Sequence, residues 1–154
     1  MYERRIIGIF TCPEAGNPME PKEEVHAVPG KGLVGDRYFN GTGYYSHKQG
    51  ADRQVTLIES ETFEAIWRDF GIEFEPRESR RNIITENVAL NHLVGRKFKI
   101  GEVVLRGVRL SFPCDYITKL TGKKVFKPLV HRAGLNAEIL TEGKIKVGDT
   151  LEFL

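Results

Sequence analysis

The chain has 154 residues, 40% apolar and 29% charged, which is enough for one domain with its own core and excludes a disordered or membrane-embedded chain. Its 23 lysines and arginines against 21 aspartates and glutamates leave a net charge of +2, so no global field points to nucleic acid. No apolar run approaches the roughly 20 residues of a membrane span, and "MYERRIIGIF" lacks a signal-peptide core, so the expected setting is the reducing cytoplasm.

In chain order, "RRIIGIFT" and "EEVHAV" alternate as strands. The passage "PGKGLVGDRYFNGTGYYSHKQGADR" follows, with six glycines and no sustained period, too irregular for a helix. "QVTLIE" is a strand, and "SETFEAIWRDFG" is the clearest helix, with Ser60 as its cap and Gly71 as its stop. Phe63, Ile66, Trp67 and Phe70 form its i, i+3, i+4, i+7 stripe, which predicts that all four face the core. "RNIIT" is a further strand, and "NVALNHLVG" reads as a loop with a helical turn. "FKIGEVVLRG" and "IKVGDTLEFL" then echo each other, each predicting a strand, a glycine turn and a returning strand. Many short strands with few helices predict one mainly β domain over 1–154, a closed or nearly closed barrel, because closure removes exposed edges.

The two cysteines, Cys12 and Cys114, lie far apart and in no metal-type spacing, and nothing supports a disulfide between them. His26, His47, His92 and His131 form no HxxxH or HxH pattern, which argues against a zinc site built from side chains alone. In "RGVRLSFPCDYITKLTG" the alternation stops at Pro113 and helical spacing begins with Tyr116, Ile117 and Leu120. Cys114 therefore sits at or beside a helix N-terminus, where the dipole favours an anion such as a thiolate. A small, inert buried residue is the other reading of the same context. Four loop–strand junctions carry arginine: Arg37 in "GLVGDR", Arg53 in "GADRQVTL", Arg81 in "ESRRNIIT" and Arg132 in "VHRAGL". Alone, Arg37 and Arg132 read as turns and Arg53 as a salt-bridged loop, while Arg81, beside buried β residues, calls for a carboxylate or phosphate to pair its fork. Converging on one barrel rim, they would bind a phosphate-type dianion and favour a nearby thiolate.

Together "GLVGDRY", "DRQVTLIE", "RRNIIT", "LVGRKFKIGEVVL", "PCDYI", "HRAGLNAEIL" and "GKIKVGDTLEF" resemble, in order, MOSC domains, named for the C-terminal domain of molybdenum cofactor sulfurases. The resemblance runs from about residue 5 to the end and is to the small stand-alone bacterial type, without a pyridoxal-phosphate domain. It implies a mainly β fold, a barrel of the MOSC or pyruvate-kinase-barrel type with a few short helices. It implies a molybdopterin-type molybdenum cofactor, with Cys114 as the catalytic cysteine and molybdenum ligand or as a persulfide carrier. Arg37, Arg53, Arg81 and Asn82 match positions that line the cofactor, and Thr85 and Arg132 are carried over with them. Tyr38 stands where stand-alone members often have histidine, Asn87 replaces a common glycine, and Ala133 interrupts a usual Arg-Gly-Gly.

The expected activity is reduction of N-hydroxylated small molecules. The chain carries no flavin, haem or iron–sulfur motif, so its electrons would come from a separate donor protein. A sulfur carrier served by a sulfur-donor protein, and a non-catalytic barrel binding anions or nucleotides, are the alternatives. The charge and the absence of an RNA-binding aromatic motif speak against nucleic acid.

Overall fold

Alternation in the first strand, β1 (Arg5–Thr11), buries Ile6 and Ile9 while Ile7 faces out, and a bulge between Ile6 and Gly8 accounts for the three-residue step. The structure, a computed structural model, describes residues 2–46 and 50–154, so His47, Lys48 and Gln49 of the glycine-rich passage lie outside the described residues. After β1 come β2 (Glu20–Pro21), β3 (Glu24–Val28), β4 (Gly32–Leu33), α1 (Arg37–Asn40), β5 (Val55–Glu59), α2 (Ser60–Phe70) and β6 (Ile83–Glu86). The chain continues with β7 (Lys97–Ile100), β8 (Val103–Leu110), α3 (Asp115–Thr121), β9 (Leu135–Ile139), β10 (Gly143–Lys146) and β11 (Leu151–Phe153). Short 3-10 turns occupy Ala51–Arg53, Pro76–Ser79 and Leu90–Leu93.

Eight strands form one sheet in the order β11-β7-β8-β9-β5-β6-β1-β2, and β10-β3-β4 form a second. Neighbours run antiparallel except β5 and β6, the parallel pair joined by the α2 crossover. The larger sheet curls until Arg5 bridges Thr150, with Ile6 N–H donating to Asp149 O at 2.9 Å and Leu151 N–H to Arg4 O at 3.0 Å. These contacts join the two ends of the curled sheet locally and give the mainly β, barrel-like architecture expected from the strand count. No described helix is long and apolar enough to cross a membrane.

The parallel pair divides two cores. Leu57 and Ile83 point into the interior with Ile6, Phe98, Leu105 and Leu135, while Ile58 and Ile84 point outward to Ile66, Ile117, Val125 and Leu129. The period-2 alternation of "TLIE" and "NIIT" is thus buried on both faces, which is why these strands read as unbroken apolar runs. Cys114 packs against the outer core.

Three expectations are corrected. In α2 only Thr62 and Ile66 are buried, Phe63 is half-buried against Phe74 at 5.6 Å, and Trp67 and Phe70 are 61% and 44% exposed. The helix lies on the sheet along one ridge, so the far side of the apolar stripe faces out. Nor does Ser60 cap it: Ser60 is the first helical residue, and Glu59 at the cap position makes no side-chain capping bond. The two echoing segments also part ways. The first makes the β7–β8 hairpin, but in the second β10 pairs with β3 in the small sheet and β11 with β7 in the large one. The entry of β1 between them decides this, because Gly148 N–H donates to Ile6 O at 2.8 Å and takes the turn out of any hairpin.

The buried ridge gives a direct check. Ile66→Ala should lower stability in urea unfolding by about 2–5 kcal/mol, and Trp67→Ala by no more than about 0.5 kcal/mol.

Candidate functional site

Four chain junctions deliver the site. At the first, β8 ends at Leu110, Pro113 contributes no N–H, and Cys114 takes an extended conformation (φ −140°, ψ 154°) as N-cap of α3. Its sulfur makes no capping bond, and the side chain is partly exposed. At the second, Asp36 caps α1 with a fully buried carboxylate that accepts from Cys12 N–H at 3.2 Å and Tyr38 N–H at 3.4 Å. At the third, the 3-10 turn Ala51–Arg53 leads into β5. At the fourth, the turn Pro76–Ser79 ends with Arg80 in the left-handed region (φ 62°), turning Arg81 and Asn82 into β6.

These junctions surround a cavity of about 280 Å³ lined by Arg37, Arg53, Arg80, Arg81 and Arg109, with Asn82, Tyr45, Tyr116 and Cys114 also on its wall. Three of the four arginines singled out in the sequence therefore meet the cysteine in one concavity. They are not equivalent. Arg37 is buried and committed, with Nη1 donating to Asp36 Oδ1 at 3.0 Å and Nη2 to Arg80 O at 2.9 Å. Arg80 braces the loop after β1, giving Nη1 to Asn17 O at 2.7 Å and Nη2 to Cys12 Sγ at 3.4 Å. Arg109 is bound through Nε to Asp52 Oδ2 at 2.7 Å. Arg81 spends only Nε, on Ala133 O at 2.9 Å. Arg53 lies 5.0 Å over the Tyr45 ring, and its buried Nε has no hydrogen-bond partner among the described residues. Arg80 Nε also lacks a partner among the described residues, but both of its terminal nitrogens are bound, so Arg53 and Arg81 are the cations with most capacity left for a ligand.

The electrostatics follow from this crowding. Burial pushes the Arg81 guanidinium down to about 10, Cys114 works against that shift, and the charges of Arg37 and Arg109 add to it. Burial would raise Asp52, but the Arg109 hydrogen bond and the charges of Arg53 and Arg109 outweigh it and hold the carboxyl below its usual value. Tyr45 is pushed up to about 12, first by burial, then by its hydrogen bond to the Cys114 side chain and the charge there. Its hydroxyl thus keeps its proton and can donate it to the sulfur in a hydrogen bond. Close packing places that tyrosine: a Cβ on Gly43 would lie 2.5 Å from the Tyr38 ring, and Tyr44 stacks on Tyr116 at 4.1 Å.

Three carried-over residues have other tasks. Asn82 lines the cavity, but its Oδ1 accepts from Thr56 N–H at 3.1 Å and its Nδ2 donates to Phe10 O at 3.1 Å, joining strands. Thr85 is fully buried in β6, its hydroxyl 3.5 Å from Ile58 O. Arg132 lies outside the cavity lining, donating Nε to Pro128 O at 2.7 Å and sitting 5.9 Å over Phe70. Conversely, Arg80, Arg109, Asp52 and Tyr45 belong to the site. Arg80 was visible beside Arg81, and Asp52 beside Arg53. Arg109 was hidden by a bulge between Gly107 and Arg109 that breaks the alternation. Among the described residues no three histidine, cysteine or carboxylate side chains gather as a metal site. Both cysteines are free.

A family model described as MOSC domain matches residues 44–152. Among solved structures, the YuaD protein from Bacillus subtilis superimposes with a TM-score of 0.81 at 15% identity, over 99% of this chain and 98% of that one. YiiM from Geobacillus stearothermophilus gives 0.73 at 16% identity over 98% and 75% of the two chains. YiiM from Escherichia coli gives 0.69 at 17% over 97% and 69%. No curated protein matches the chain significantly.

The Tyr45–sulfur contact is open to spectroscopy. Difference absorbance between the protein and its Tyr45→Phe variant should show the Tyr45 phenolate only near pH 12, against about 10 for an ordinary tyrosine. Cys114→Ala should bring the midpoint down part of the way, since burial, the larger cause, stays in place.

Proposed function

Because the chain belongs to the MOSC domain family, we propose that its Cys114 cavity holds a molybdopterin-type molybdenum cofactor and reduces N-hydroxylated small molecules. The observation that carries the proposal is the pairing, in one cavity, of a partly exposed thiol with two arginines whose guanidinium groups are not used up by the fold. That donor set fits the group: a thiolate suits a soft transition metal, and Arg53 and Arg81 suit a phosphate. When bound, the cofactor supplies the redox chemistry, which no side chain here can supply.

The chain's own residues bind, orient and shield. Arg53 and Arg81 hold the anionic end of the cofactor, while Cys114 presents sulfur from the N-cap of α3. Tyr45 donates to that sulfur and restrains its direction. Asp52, kept ionised by Arg109, accepts hydrogen bonds from a substrate N–H at the wall of the cavity. The net reaction breaks one N–O bond: two electrons from a separate redox protein and two protons turn R–NHOH into R–NH2 and water.

The partial exposure of Cys114 also supports a second reading, a sulfur carrier. There the thiolate attacks the outer sulfur of a donor persulfide, forming Cys114–S–SH and releasing the donor's thiolate.

Protein purified from a host that makes the molybdenum cofactor should contain close to one equivalent each of molybdenum and pterin. Cys114→Ser should lose N-hydroxyl reduction by more than about 100-fold while melting within a few degrees of the parent, and Cys12→Ser should retain activity. Absence of molybdenum and pterin, with an intact persulfide on Cys114 by mass spectrometry, would select the carrier. Full reductase activity in Cys114→Ser would overturn both readings.

A further inference from the structure

A second cavity, of about 530 Å³, adjoins the first, and Tyr38 and Arg53 line both. It opens beside the glycine-rich passage and carries Lys31, Phe39, Gly41 and Ser46 on its wall. None of its described lining residues is acidic. The Lys31 ammonium lies 5.7 Å from the centre of the Phe39 ring. Neither Lys31 nor Arg53 forms an ion pair among the described residues. The neighbouring Asp52 carboxylate lines the first cavity and is bound to Arg109. Two cations that face aromatic rings and form no ion pair among the described residues, on one concave surface with a hydroxyl nearby, are a physical description of an anion site.

We propose that this second cavity docks a phosphate-class dianion borne on the far end of the substrate whose reactive end lies at Cys114. The substrate class is then a phosphorylated N-hydroxy compound rather than the bare one. Arg53, shared by the two cavities, ties the positions together: its position between them lets one guanidinium serve the anionic arm on one side and the reaction site on the other. Lys31 supplies the second charge, and because its side chain is exposed and its ammonium forms no ion pair among the described residues it is not part of the fold's own support. This assignment rests on the reading of the first cavity as the reaction site.

The test uses cofactor-free protein, with backbone amide shifts followed by NMR during titration with inorganic phosphate and, in a second arm, with adenosine 5′-monophosphate. The amides of Gly30, Gly41 and Ser46 report the second cavity, and those of Arg81 and Cys114 the first. Saturable shifts are expected at both sets; Lys31→Ala should raise the dissociation constant about tenfold at the second set and leave that at the first set unaltered. The nucleotide should bind the second set more tightly than inorganic phosphate. Equal affinity for the two probes would mean a free-anion site and overturn the substrate arm. Absence of saturable shifts at the second set, or equal affinity in Lys31→Ala, would overturn the site altogether. Silence at the first set alone would overturn the anion pocket of the proposed function and leave the second cavity's phosphate site standing.

Discussion

Guanidinium groups repel one another and lose hydration when buried, so a cavity walled by five of them exists only where the fold supplies acceptors in fixed places. Asp36 is the centre of that supply. Its carboxylate is fully buried, caps α1, fixes Cys12 N–H and holds Arg37. Arg37 in turn binds Arg80 O, and Arg80 reaches back to Asn17 O and Cys12 Sγ. Breaking a buried pair of this kind costs on the order of 3–5 kcal/mol, because the surviving charge is left without compensation. The network ties the chain after β1 to the entry to α1 and the entry to β6, two of the segments that line the cavity.

The same network divides the arginines by task. Arg37 and Arg80 hold the backbone and have little capacity for a ligand, and Arg109 is occupied by Asp52. Arg53 and Arg81 stay available because Arg81 spends only Nε on a carbonyl, and Arg53 lies over a tyrosine ring while the neighbouring Asp52 carboxylate takes its hydrogen bond from Arg109. A positive cavity in a chain of nearly balanced charge is therefore a matter of where the acids are placed. Ion pairs such as Arg5–Glu86, Arg68–Asp69 and Arg106–Glu138 use up acidic groups elsewhere on the surface.

Cys114 depends on a different constraint. The outer core that packs beneath α3 is built from the outward faces of the parallel pair, β5 and β6, together with α2. Ile117 anchors α3 there, while Gly122 ends the helix in the left-handed region at φ 70° with its N–H on Thr118 O. The sulfur is thus held at the junction of an apolar layer and a charged wall, with Tyr45 between it and Arg53. A thiol so placed is accessible from one side only, which suits a group that must meet one ligand in one direction.

The sequence by itself determined the local elements and the chemistry on offer. Alternation and glycine turns specified the strands, Pro113 and the spacing of Tyr116, Ile117 and Leu120 placed Cys114 at a helix start, and Arg37, Arg53 and Arg81 stood at junctions because loops meet strands at a barrel rim. What it left undecided were the features that depend on partners far away in the chain. Whether "IKVGDTLEFL" became a hairpin was settled by β1 entering between its strands. Whether Trp67 was core or surface was settled by the angle at which α2 lies on the sheet. Asn82 and Thr85 were spent on strand pairing by neighbours more than twenty residues away. Arg109 reached the cavity only through a bulge, and Arg132 missed it because Pro128 O captured its guanidinium first. Periodicity records which face a side chain takes within its own element. Hydrogen-bond partners across the fold decide what that side chain has left to give.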